Sequence, residues 1–330
     1  MNRFITMAAV IVLGLPLAAC GGNSAGSSSS SSSGGLRIAF LAAGVDATYT
    51  PAQVSGLEKG SGGKVTTFNP QYDPATQLSQ CQDAISQQRY DAIVITALNN
   101  SSALPCAKAA VAAKIPLIAD GTAIGKDTNS IQPQVDGVNF SMIWVPQTFA
   151  KDTWAIIQSA CTGKPACQVI MERSYLGDPL FDVDVDYVKQ QTAGTTIKLV
   201  ATYESHYDPS ETTSKLQNLL VANPEVNVVT FANDPTALAG AAVIGKLGRT
   251  GKVMAIGSGG TKTGVAAVSA GKLFATIANL PFTASKIEGE MVVKAKNGEK
   301  IDPVGMDAFL LGGVSGALTK DDVGKFSPEW

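Results

Sequence analysis

Asp91-Ala92-Ile93-Val94-Ile95-Thr96, an alanine-rich run over 103–113, and Pro116-Leu117-Ile118-Ala119-Asp120 form the stretch on which the fold turns. Each flanking run is short, apolar and rich in Ile, Leu and Val, the pattern of a strand buried on both faces. The segment between them is long enough for about three turns of helix. Strand, helix and strand in that order make a βαβ unit, which sets its strands parallel and lays the helix over one face of the sheet.

The same rhythm extends in both directions. Upstream, strands are expected at 36–43 and 64–69 with a helix at 75–88. Downstream come a strand at 135–140 and a helix at 147–161 that carries Trp154 on its apolar side. The series then restarts, with strands at 168–172, 197–204, 226–232, 252–258 and 274–278 alternating with helices at 181–192, 210–222, 236–247, 264–271 and 283–297. Asp208-Pro209, Asn223-Pro224 and Asp234-Pro235 mark element edges, because Asp or Asn caps a helix and Pro fits its first turn. The expected fold class is α/β: two Rossmann-like lobes of similar size, each with a parallel sheet covered by helices. Residues 36–330 are long enough for both.

Arg3, an apolar run over 4–15 and small residues over 16–19 read as an export signal, too short to span a bilayer. Leu17-Ala18-Ala19-Cys20 resembles the lipobox of bacterial lipoproteins. That resemblance implies removal of 1–19, acylation of Cys20 and an extracytoplasmic protein anchored to the cell membrane. Residues 21–35 are nearly all Gly and Ser, so they read as a tether of roughly 20 Å r.m.s. span. The formal net charge is -2 and no Lys/Arg run occurs, which argues against nucleic acid or an anionic membrane surface as partner. Membrane attachment is left to the lipid.

Beyond Cys20, four of the five cysteines remain, and an even number in an exported chain favours disulfides. Three connectivities are possible. The expected one joins Cys81 to Cys106, on consecutive helices, and Cys161 to Cys167, around Thr-Gly-Lys-Pro-Ala; the alternative is four free buried thiols.

In open sheets of this kind, ligands bind outside the carboxyl ends of the strands. The loops expected there hold Asp46 and Tyr49, Asn99 and Asn100, Asp120, Trp144, Arg173 and Tyr175, Tyr207 and Asp208, Asn233 and Asp234, and Asn279. Amides and carboxylates exchange hydrogen bonds with hydroxyls, and an aromatic face covers C–H groups, so the set suits a polyhydroxylated ligand. Turns need the same residue types, so the set carries the reading and no single member does. Asp178, Asp182, Asp184 and Asp186 are expected chiefly to complement a helix N-terminus.

Four stretches resemble one known family. They are Thr230-Phe231-Ala232-Asn233-Asp234-Pro235-Thr236-Ala237-Leu238-Ala239-Gly240-Ala241, the run Gly264-Val265-Ala266-Ala267-Val268-Ser269-Ala270-Gly271-Lys272-Leu273-Phe274-Ala275-Thr276-Ile277-Ala278-Asn279-Leu280-Pro281, the strand at 91–96 with Asn99-Asn100-Ser101-Ser102-Ala103, and Lys114-Ile115-Pro116-Leu117-Ile118-Ala119-Asp120. Over 36–317 the chain is similar to periplasmic binding proteins of the ribose and galactose type, the solute receptors of bacterial ABC importers. The resemblance implies a type I fold, with lobe 1 at 36–142 and 281–309 and lobe 2 at 143–280 and 310–330. A three-segment hinge would cross near 140–144, 279–282 and 308–312 and let the lobes close on a solute. Asn99, Asp120, Asn233 and Asn279 would bind the solute. The partners implied are a small carbohydrate or polyol and the ABC permease and ATPase subunits; a monomer without cofactor or metal is expected.

Departures from the family pattern bear on the ligand. The family's Gly-x-Asp-Gly reads Gly257-Ser258-Gly259-Gly260, and Asn279 stands where Gln is usual. Ser141-Met142 replaces Asp-Asn at the first crossing, with Trp144 two residues on. The family's arginine in lobe 2 falls on Asp182 or Val183, which leaves Arg173 as a replacement. A pocket so altered departs from a ribose pocket, and a small sugar alcohol or a modified sugar fits it at least as well as an aldopentose.

Catalysis finds no constellation. The single histidine, His206, cannot build a zinc site or a Cys/His pair, and no Gly-x-Ser-x-Gly elbow occurs. Gly257-Ser258-Gly259-Gly260-Thr261-Lys262-Thr263 lacks the Gly before Lys that a phosphate loop requires. Besides an importer receptor, the alternative is a lipoprotein that senses a solute and passes its ligand state to a signalling partner.

Overall fold

The structure is a computed structural model that describes residues 35–313 and 316–330; Cys20, the expected export signal and most of the expected tether lie outside them. Among the described residues the chain builds two six-stranded sheets. β1 (Arg37–Leu41), β2 (Lys64–Phe68), β3 (Ala92–Thr96), β4 (Leu117–Gly121) and β5 (Phe140–Ile143) run parallel, interleaved with α1 (Tyr49–Ser61), α2 (Pro74–Ser86) and α3 (Leu104–Ala112). After Trp144 and α4 (Pro146–Cys161) come β6 (Cys167–Arg173), β7 (Ile197–Glu204), β8 (Val226–Thr230), β9 (Met254–Gly259) and β10 (Ala275–Ala278), again parallel. Between them lie α5 (Pro179–Gln191), α6 (Pro209–Ala222), α7 (Asp234–Lys246) and α8 (Lys262–Ser269).

α9 (Pro281–Asn297) returns the chain to the first sheet, where β11 (Gly305–Asp307) pairs with β5. A 3-10 turn over Ala308–Gly313 then leads back to β12 (Ala317–Leu318), antiparallel to β10. The strand orders are β2-β1-β3-β4-β5-β11 and β7-β6-β8-β9-β10-β12. One order occurs twice, as two doubly wound lobes require.

Unbroken apolar strands follow from burial on both faces. In the first sheet Ile38, Phe40, Val94 and Ile118 pack toward α9, while Ala39, Leu41, Ile93 and Ile95 pack toward α2 and α3. Each such Ile or Leu contributes roughly 1.5–3 kcal/mol when taken fully from water. The expected disulfides are present: Cys81–Cys106 ties α2 to α3, and Cys161–Cys167 ties the end of α4 to the start of β6.

Two departures have local causes. The strand expected at 135–140 begins only at Phe140, because Val138 N–H closes a turn on the Val135 carbonyl and Gly137 takes φ +90°. Sequence periodicity assigns nothing between 43 and 64, yet α1 lies there. Its buried face is Thr50, Gln53, Gly56 and Leu57, too polar and too small to read as apolar. Small residues are what α1 needs, since it packs backbone to backbone on α9. A Cβ on Gly60 would stand 1.9 Å from the Lys286 carbonyl oxygen, and one on Gly289 would stand 2.6 Å from that of Leu57. This close approach brings Glu288 of α9 and Gln53 of α1 to the end of β4.

Candidate functional site

The loops at the carboxyl ends of the two sheets meet each other. The Tyr175 hydroxyl, after β6, donates to the Leu98 carbonyl, after β3, at 3.2 Å. The Tyr72 ring, after β2, lies 5.8 Å from that of Tyr175 and 6.2 Å from that of Tyr207. Trp144, at the first crossing, sets its indole edge-on to Phe309 at 5.1 Å, next to the third.

Asp120 forms the floor on the first-sheet side. It is the penultimate residue of β4 and is 2% exposed. Gln53 Nε2 donates to its Oδ2 at 2.9 Å, and the Thr96 hydroxyl donates to the same oxygen. Behind it, Glu288 is fully buried, and neither of its oxygens has a partner at hydrogen-bond distance among the described residues. Burial first, and the Asp120 charge second, hold the Glu288 carboxyl well above the usual carboxylate range. Burial also raises Asp120, while Thr96 and Gln53 work against the rise. Tyr49, at the start of α1, brings its hydroxyl close to the Trp144 indole and feels both acids.

On the second-sheet side, the side-chain oxygen of Asn279 is buried without a partner among the described residues. Its main chain donates to the Gly259 carbonyl at 3.2 Å. Asn233 caps α7: its Oδ1 accepts from Thr236 N–H at 2.9 Å, and its own N–H donates to the Thr236 hydroxyl at 3.3 Å.

Several expected residues are instead committed to holding their own loops. Asp46 Oδ1 accepts from the N–H groups of Thr48 and Tyr49 at 2.8 and 2.7 Å, fixing the entry to α1. Asn99 Oδ1 accepts from Ser102 N–H at 2.8 Å, and Asn100 Nδ2 donates to the Gly125 carbonyl at 2.7 Å. Arg173 pairs with Asp182 at 2.9 Å. Asp208 caps α6 by accepting from Ser210 N–H at 2.6 Å. His206 pairs with Glu211 on the surface at 3.2 Å.

Asp234 is the clearest correction. It is fully buried and takes no part in the cleft surface. Its carboxylate accepts from the Thr276 hydroxyl at 2.6 Å and from the N–H and hydroxyl of Thr261 at 2.8 and 2.9 Å. It therefore staples α7 to the loop after β9 and to β10.

Tyr72, Gln53, Glu288 and Trp330 were not among the expected site residues. For Tyr72 a signal exists: Tyr72-Asp73-Pro74 repeats as Tyr207-Asp208-Pro209. In both places the two residues before the Asp adopt positive φ: Gln71 and Tyr72 at 53° and 62°, His206 and Tyr207 at 52° and 59°. Side chains rarely pay that strain in pairs, at about 1 kcal/mol or more per residue, and here it turns both tyrosines toward the same rim.

Asp178 lies under that rim. It accepts from the Ser174 hydroxyl at 2.6 Å and from Leu180 N–H at 3.0 Å, capping α5. Burial pushes its carboxyl up to about 6. The folded chain keeps this proton where the unfolded chain has released it, so stability falls as pH rises from about 4 to about 6. Asp178→Asn retains the Leu180 bond and is expected to flatten that fall in denaturant midpoints measured across the window. An unchanged slope would mean that Asp178 is ionised throughout.

No cluster of His, Cys, Asp and Glu suited to a metal ion occurs among the described residues, and no helix among them is long and apolar enough to cross a membrane.

Over residues 38–300 the sequence matches the family described as periplasmic binding protein domain. The ribose import binding protein RbsB of Salmonella typhimurium is 34% identical over 113 residues, which cover 34% of this chain and 38% of that protein. The match thus spans well under half of that relative. The xylitol-binding protein of Mycolicibacterium smegmatis is 24% identical over 98% of this chain and 87% of its own length. An ABC transporter periplasmic solute binding protein from Actinobacillus succinogenes, solved with bound D-allose, shares the fold. Its TM-score is 0.74 at 20% identity, over 88% of this chain and 100% of that one.

Proposed function

This chain belongs to the periplasmic binding protein domain family, and from that premise we propose that it is the solute-binding protein of an ABC importer, taking a small sugar or sugar alcohol between its two lobes. The family is extracytoplasmic and binds solutes; it is not an enzyme class. The observation that carries the reading is the pairing across one cleft of a buried acid floor, Asp120 with Glu288, and an unpartnered acceptor, Asn279 Oδ1. Hydroxyl groups can satisfy both sides at once, donating to Asp120 on one side and to Asn279 Oδ1 on the other. Tyr49 and Trp144 supply the flat apolar surface that a sugar's C–H groups need. The names of the relatives, ribose and xylitol binders, point the same way.

In this reading lobe 1 comprises 36–142 and 281–309 and lobe 2 comprises 143–280 and 310–330, and they rotate about the three crossings. Solute that bridges both sides stabilises the closed form by RT ln(1 + [L]/Kd), about 2.7 kcal/mol at one hundred times Kd. Cys20 carries the lipid that keeps the receptor beside its permease and ATPase subunits.

The test is a thermal-shift panel of pentoses, hexoses, tetritols, pentitols and inositols. A clear upward shift from one stereochemical set is expected, and silence across the panel from folded protein would overturn the carbohydrate reading. Cys20→Ser should move the protein from the membrane fraction to the soluble one, and unchanged partitioning would remove the anchor.

A further inference from the structure

Residues 326–330 run from the second sheet into the space between the two halves. Trp330 Nε1 donates to the Gly259 carbonyl at 2.9 Å, and Lys262 N–H donates to the Trp330 main-chain oxygen at 2.9 Å; both partners belong to the second sheet's side. The same indole meets the Tyr49 ring edge-on, with centroids 5.0 Å apart, on the first sheet's side. Glu329 accepts from Thr283 N–H at 3.0 Å and from the Thr283 hydroxyl, at the start of α9. Tyr49 touches the Trp330 ring and, through its hydroxyl, lies close to the Trp144 indole, so Trp330 is one side chain removed from the Trp144–Asp120 floor.

Gly259 shows why the indole fits. A Cβ there would lie 2.6 Å from Trp330 Cζ2, and the backbone takes φ +128°, which side chains other than glycine's rarely adopt. This is the position where the resembled pattern carries Asp. Its side-chain space is here filled by an indole, so a polar contact is exchanged for a flat apolar one.

We propose that Trp330 is a specificity-determining wall of the cleft: its indole covers the C–H face of a small polyhydroxylated solute and occupies the space above Gly259 that an acid would otherwise fill. The inference rests on the receptor reading above. Loss of an aromatic face in contact with ligand is expected to cost about tenfold in affinity.

The test uses the full chain, as wild type and as Trp330→Ala, Trp330→Leu, Trp330→Phe and Glu329→Ala, titrated calorimetrically with xylitol, D-ribose and myo-inositol. For whichever probe the wild type binds best, Trp330→Ala loses about tenfold and the gap to the other probes narrows. Trp330→Phe stays within about threefold. Should the alanine variant fail to fold, Trp330→Leu keeps the apolar bulk and is expected to show the same narrowing. Glu329→Ala cuts the tie to Thr283 without touching the wall and leaves the ranking as it was. Wild-type affinity and ranking in the alanine or leucine variant would overturn the wall. So would a Glu329→Ala variant that reproduces the Trp330 loss, since the segment would then act as a clamp. A folded wild type that binds none of the probes would instead fail the receptor reading, and the inference with it.

Discussion

Asp120→Ala is expected to weaken solute binding a hundredfold or more while leaving the unliganded protein at least as stable as the wild type. A hydrogen bond to a charged group contributes about 1.5–3 kcal/mol, and Asp120 offers a solute hydroxyl a carboxylate already stripped of water. The same change also removes the acid that faces Glu288, so a second polar group loses its setting. Stability moves the other way. Burial raises both carboxyls, which means that folding opposes their charge, and deleting one relieves that cost. The loss of acceptors for Gln53 and Thr96 offsets part of the gain. Calorimetry and thermal melts on one preparation separate the two effects. Wild-type affinity in this variant would remove Asp120 from the site, and a large fall in melting temperature would make it a structural residue.

Asp234→Ala should do the opposite, with a loss of about 3–5 kcal/mol in stability that lowers the melting temperature on the order of 10 °C. Its carboxylate sits in a cradle cleared by two glycines. A Cβ on Gly257 would come within 2.3 Å of Oδ1, and one on Gly264 within 2.0 Å of Oδ2. No neighbour can move in to fill the space without strain, and the Thr276 hydroxyl and the Thr261 N–H would be left buried without an acceptor. Burial pushes the Asp234 carboxyl up to about 6, so part of the loss is offset by no longer desolvating a charge. Two stranded donors and the lost staple outweigh that term. A melting temperature within a few degrees of wild type would show that the loop after β9 holds without its staple.

Together these two residues mark the boundary of what could be read along the chain. Asn233-Asp234 looks like a pair of ligand groups when read as a motif, yet only the fold shows that the first caps α7 while the second turns inward to tie three elements. The place of Asp120, next to last in β4, was legible because the strand's apolar run announces where the sheet stops. Glu288 was not, since on a helix far along the chain it resembles any surface acid until α1 and α9 close to backbone contact.

Local periodicity determined the two parallel sheets and most of their helices, because a strand or a helix is specified by neighbours a few residues apart, whereas the disulfides were expected from the even cysteine count. Helix α1 escaped for the same reason, its buried face being too polar to mark a period. The tertiary structure alone decided which polar side chains gather where the loops of the two sheets meet. Gln53, Tyr72, Glu288 and Trp330 enter through contacts between residues distant in sequence, and such contacts depend on how whole helices and loops pack, which no short window of sequence contains.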